Sequence, residues 1–199
     1  MMTLVNNDPA RFKGLTKISG KRAQDMIARE KIDLLTEVVL DPEVEVDRLL
    51  EALRGDYATM DRLRLLSHAL PRREAVWWSC LAGRELIGDE GDAPPTLAAA
   101  EAWVFKPNEQ TREAARDAAN NARPTDDCDL CASAVIFAKG TMGPGILDDY
   151  PDPAGAFGTL IWAMQMNVVQ ANPDTAEETG DRLLERGLDI ARGGSGRLE

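Results

Sequence analysis

In the run PRREAVWWSCLAGRELIG, residues 71–88, Trp77 stands four residues after Arg73 and seven before Arg84. A helix turns by ~100° per residue, so these three side chains share one stripe, while Trp78 lies on another between Glu74 and Glu85. A third stripe, Val76, Cys80, Gly83 and Ile87, is apolar and belongs in the core. An indole between two guanidinium groups stacks with them for ~0.5–2 kcal/mol and leaves spare N–H donors for a carboxylate or phosphate. Arg73, Trp77 and Arg84 are therefore the first candidate binding residues, suited to an anionic or acidic-peptide ligand. The alternative is that both indoles are buried and the arginines pair with local acids.

The second candidate is the loop KGTMGPG at 139–145, with Lys139, Thr141 and, further on, Tyr150. It is not a phosphate-binding P-loop, because its lysine precedes the glycines and a helix rather than a strand leads into it. Its two readings are a flexible turn ending a helix and a contact loop beside a groove. Asp148, Asp149 and Asp152 offer clustered oxygens to a hard cation, but their spacing matches no EF-hand, and a solvated acidic run is expected. Cys128 and Cys131 form a C-x-x-C that, with Cys80 and His68, has the composition of a Cys₃His zinc set. Both cysteines fall on an apolar helical stripe with Ala132 and Val135, so burial as small core residues is expected. No H-E-x-x-H or G-x-S-x-G occurs. The expectation is a chain with no catalytic residues, no metal and no cofactor; the competing reading is an enzymatic, small-molecule or metal site built between helices from carboxylates or from the cysteines and histidine.

These residues need helices to position them. Prolines at 42, 71, 94, 95, 107, 124, 151, 153 and 173 each precede a segment with helical spacing, and proline fits a first helical turn. Apolar positions recur at three and four residues, as in Val46, Leu49, Leu50, Leu53 and again in Met60, Leu63, Leu66, Leu70. The spacing predicts helices near 22–39, 43–54, 57–69, 72–88, 95–105, 108–121, 126–139, 154–171 and 174–192. Residues 160–169 form a helix apolar nearly all round, expected to be central, with Met164 and Met166 as the alternative contact surface. The fold class is all-α: one compact domain of about eight or nine short-to-medium helices packed as antiparallel pairs. A basic arm is expected over 1–21, the helical domain over 22–192 and a flexible tail over 193–199.

The 199 residues carry a formal charge of −11, which disfavours nucleic acid. Residues 1–31 hold seven basic and three acidic side chains, so the rest carries −15. That arm suits either an acidic partner or the chain's own acidic body. The basic start is followed by no apolar run of signal-peptide length, and no segment is long enough to insert in a membrane. Three cysteines, an odd number, agree with a reducing compartment. A cytoplasmic location is expected.

The run at 71–88, followed by PPTLAAAEAWVFKP, NEQTREAARDAANNA, ASAVIFAKGTMGPG and YPDPAGAFGTLIWAMQMNVV, resembles a family of bacterial all-helical proteins of unknown function over roughly residues 70–192. The family defines no catalytic residues. Its association with specialised secretion loci implies an adaptor or accessory role, with another protein, such as a secretion-system component, as partner.

Overall fold

The computed structural model describes residues 9–88 and 91–198. Among the described residues the chain forms α1 (Ala23–Glu30), α2 (Val46–Ala52), α3 (Ala58–Ala69), α4 (Arg72–Ile87), α5 (Pro95–Phe105), α6 (Glu109–Asn120), α7 (Asp129–Phe137), α8 (Ala156–Ala171) and α9 (Ala176–Arg192). Three short 3-10 turns and two isolated bridges, Arg22 with Glu45 and Thr141 with Pro151, complete the regular structure, and there is no strand among these residues. The all-α expectation holds. Pro95 opens α5 at a position where its missing N–H costs nothing, and Asn108 with Thr111 closes a reciprocal cap at the start of α6.

Eight of the predicted helices fall within a few residues of their expected bounds. The first does not: helix is predicted over 22–39, but α1 stops at Glu30, where Lys31 turns left-handed at φ 52 and the N–H of Ile32 closes on the Ile27 carbonyl at 3.0 Å. Beyond it the chain runs irregularly. Thr36, Val38 and Val39 are β-branched, which weakens helix, and buried Asp61 accepts the N–H groups of Leu35 and Thr36 at 2.9 and 2.7 Å. A tertiary hydrogen-bond acceptor overrides local periodicity there.

Helices α4 and α8 occupy the middle. The former packs on α5, α7, α8 and α9, the latter on α3, α4, α7 and α9. Phe157, Ile161, Met164 and Val168 bury the inner face of α8, so this all-round apolar helix is core, as expected. Trp78 is fully buried and donates its indole N–H to the Leu183 carbonyl of α9 at 3.0 Å. The two helices approach closely because α9 carries Gly187 at the contact.

From Pro9 onward the N-terminal region packs on the body, while residues 1–8 of the expected arm lie outside the described residues. Phe12, Leu15 and Ile18 are buried. Arg11 pairs with Glu185 at 2.6 Å and Asp181 at 3.4 Å on α9, and Lys17 pairs with Glu74 at 2.8 Å. Here the basic residues dock on the chain's own acids.

A methyl group at position 187 would meet Leu66 Cδ2 at 2.5 Å and two indole carbons of Trp78 at 2.9 Å. Alanine gains about 1 kcal/mol in helix propensity over glycine, but overpacking a rigid, hydrogen-bonded indole costs about 1–3 kcal/mol. Gly187→Ala is therefore expected to lower the urea midpoint, against the direction of its propensity.

Candidate functional site

The outer face of α4 carries Trp77 into a cleft of 540 Å³ bounded by Arg73 and Glu74 of α4, Val104 and Phe105 at the end of α5, Ile190 of α9, and Gly194, Ser195 and Arg197. Trp77 is half-buried; its N–H donates to the Ser195 carbonyl at 2.7 Å, and its ring meets that of Phe105 at 6.1 Å, tilted by 59°. Phe105 is 71% exposed, so this aromatic pair opens to solvent. Arg73 donates from Nε to the Val104 carbonyl at 2.7 Å, placing a cation at the negative end of α5.

Of the predicted stripe, Arg73 and Trp77 line the cleft and Arg84 does not. One turn beyond Cys80, Arg84 reaches across to α5 and makes a two-pronged pair with Glu101 at 2.8 and 2.5 Å. The guanidinium over the Trp77 ring belongs instead to Arg197, 5.5 Å from the ring centre. Residues 193–198, expected as a loose tail, make specific contacts: the Gly196 N–H donates to Asp189 at 2.9 Å. Gly196 has φ 73, and a Cβ there would sit 2.7 Å from Ile190 and 2.8 Å from Leu81. The available signal was glycine itself, which marks close approach and left-handed backbone as well as looseness.

The 139–150 loop is built on a residue absent from the sequence reading, Arg112 of α6. Its side chain is 2% exposed. It donates to the Ile136 carbonyl at 2.9 and 2.6 Å, to Thr141 Oγ1 at 2.6 Å and to Asp148 at 2.8 Å. Asp148 also accepts from Thr141 at 2.9 Å and from Lys139. Those donors, Lys139 first, hold the Asp148 carboxyl well below the usual carboxylate range. Arg72 fixes the other strand of the loop by pairing with Asp152 at 2.7 Å and bonding the Phe137 carbonyl. Lys139 and Thr141 thus face an internal carboxylate, and two of the three expected surface acids hold arginines. Tyr150 stays outside, 58% exposed, as does Ile146 at 85%.

All three cysteines are buried and free, gathered on α4: Cys131 donates to the Ser79 carbonyl at 3.3 Å and Cys128 to that of Gly83 at 3.7 Å. Burial pushes the Cys128 thiol up to about 12, and contact with Cys131 together with burial raises Cys80 well above the ordinary thiol value. Cys80 and Cys128 are held protonated, and all three are core residues. His68 does not join them; it sits at the end of α3 beside Gly158 and Glu30, so the Cys₃His combination is not assembled.

An all-helical body with an aromatic cleft and an arginine-braced loop defines the class of this protein. Residues 49–191 match a family of unknown function (DUF6931), and the chain belongs to it. The match begins at Leu49, earlier than the resemblance near residue 70, and takes in all of α3. No curated protein and no solved structure matches the chain. Among the described residues no helix is long and apolar enough to cross a membrane.

Two predictions follow from buried polar groups. Arg112→Lys keeps a charge but not the planar fork, and is expected to cost about 2 kcal/mol in chemical denaturation by leaving Ile136 or Thr141 unmatched. For His68, burial first and Arg64 third push the pKa down from 6.5 to about 4, against Glu30, which raises it. The folded state therefore binds fewer protons than the unfolded chain between these values. His68's contribution is fully present above pH ~6.5 and falls as pH drops toward ~4, by about 2 kcal/mol between pH ~7 and ~5. His68→Gln should flatten that part of the stability profile in urea melts.

Proposed function

We propose that the protein is a non-catalytic adaptor that recognises an acidic segment of another protein through the Trp77 cleft. The single observation carrying this is the pairing of an open aromatic floor, Trp77 and Phe105, with two cations, Arg73 and Arg197, that make no ion pair among the described residues. In a chain of net charge −11, cations left without carboxylates beside exposed aromatic surface match an anionic partner with an apolar anchor. Glu74, an acid lining the cleft, is paired with Lys17.

A second apolar contact is available where Met142, Ile146, Leu147 and Tyr150 project from the braced loop. The rigid base of that loop lowers the ordering cost of binding. Absence of catalysis fits the buried thiols, of which Cys80 and Cys128 are held protonated, and the buried neutral histidine. Cytoplasmic residence fits three unpaired cysteines. The resemblance to bacterial proteins from specialised secretion loci makes a secretion-system component the first partner class to try.

Peptides selected from a random displayed library against the protein are expected to converge on acidic sequences with one aromatic or aliphatic anchor. Trp77→Ala and Arg197→Glu should each weaken their binding about tenfold, measured by fluorescence anisotropy. Arg197 is exposed, so its reversal leaves the fold intact. Selected peptides lacking acids, or binding equally well to Arg197→Glu, would overturn the reading.

A further inference from the structure

A second pocket, of 300 Å³, lies away from the tryptophan cleft and is enclosed by Lys21, Arg29 and Glu30, by His68 and Leu70 at the end of α3, by Pro71 and Arg72 at the start of α4, and by Phe157 and Gly158 in the first turn of α8. Its walls combine cationic side chains with uncapped helix starts, which favour an anion. Three cationic side chains meet one carboxylate there. Glu30 takes Nε of Arg29 and Asp152 takes Arg72, but Lys21 has no carboxylate within ion-pair distance among the described residues, only the Ala69 carbonyl.

Two helices of sixteen residues begin at the pocket, and neither has a side-chain cap. The N–H groups of Phe157 and Gly158 meet no protein acceptor among the described residues, nor do those of Arg72, Arg73 and Glu74. Such orphan donors at the positive end of a helix dipole are completed by water or by an anion.

The independent sign of a ligand is His68. Its side chain is 4% exposed, yet Nδ1 has no hydrogen-bond partner. That nitrogen is directed at the wall formed by Gly158 and Glu30: a Cβ on Gly158 would lie 2.2 Å from it, and the Glu30 carboxylate is 3.9 Å away, beyond hydrogen-bond reach. Glycine at 158 lets the ring lie flush with the α8 backbone, so the imidazole forms part of the pocket floor. Burial first and then Arg29 hold Lys21 below its ordinary pKa, against Glu30, which raises it.

We propose that this pocket binds a small phosphate-bearing molecule, its phosphoryl oxygens held by Lys21, Arg29 and the free N–H groups opening α8. Phosphate chemistry is favoured over a single carboxylate because several N–H donors line one pocket, which suits a tetrahedral group with several acceptor oxygens. The volume exceeds that of a phosphoryl group alone and leaves room for a small organic substituent. The groups assigned to the phosphoryl oxygens are not those of the Trp77 cleft, so this test is independent of peptide binding.

The chain has one histidine, so the His68 ring gives a single pair of carbon-bound proton signals. Titration with inorganic phosphate, at ionic strength matched with chloride, is expected to shift those signals saturably at sub-millimolar to millimolar concentration and to raise the melting temperature. Glycerol phosphate in place of inorganic phosphate should bind at least as tightly if the substituent is accommodated. Tighter binding of inorganic phosphate would identify the free ion as the ligand, within the same proposal. Arg29→Gln, at a side chain 68% exposed, should keep the fold and weaken binding about fivefold or more, and Lys21→Met about tenfold or more. Unmoved His68 signals up to about 20 mM phosphate, or unchanged affinity in Arg29→Gln, would overturn the site.

Discussion

With its indole wholly enclosed, pressed on the bare backbone of Gly187 and bonded to the Leu183 carbonyl, Trp78 sets both the distance and the roll of α4 against α9. Much follows from that one contact. Successive helical side chains diverge by ~100°, so burying Trp78 forces Trp77 toward the boundary where α5 ends and the chain leaves α9. The open cleft is thus a geometric by-product of a closed core. Glycine at 187 is what makes the arrangement possible, since any side chain there would separate the helices and rotate the second indole away from Phe105.

A second theme is how an acidic chain places its cations. Four helices end with carbonyls taken by a basic side chain from elsewhere: Arg62 bonds Leu50 and Leu53 at the end of α2, and Lys21 bonds Ala69 at the end of α3. Arg73 bonds Val104 after α5, while Arg72 and Arg112 share the end of α7. Each cation meets both unsatisfied acceptors and the negative end of a dipole, which explains why Arg62 and Arg112 are carried into the interior. Arg73 and Lys21 do this work without an ion pair among the described residues, so their charge is unmatched at the Trp77 cleft and around His68.

Helical periodicity and proline punctuation made nearly all of the architecture legible, because both act locally. Partner choice across the fold was not. Arg84 and Arg73 look equivalent on a helical wheel, and only the position of Glu101 on α5 separates them. Arg112 gave no signal, since an arginine on a polar, alanine-rich helix reads as solvated until the loop that covers it is known. The segment 31–45 escaped because Asp61, far along the chain, supplies the acceptor that holds it open. The glycines near the end of the chain were read as slack, whereas Gly196 fits where no side chain does. The family match also covers α3, whose sequence carries nothing as conspicuous as the tryptophan run.

The pairing of Arg11 with Asp181 and Glu185 joins residues about 170 positions apart. As the polypeptide leaves the ribosome, the burial site for Arg11 and Phe12 does not exist until α9 has emerged, so this segment waits while the intervening helices are made. Closing so long a loop is entropically late. Until α9 docks, the nascent chain therefore holds an unburied, basic segment beside a growing acidic body.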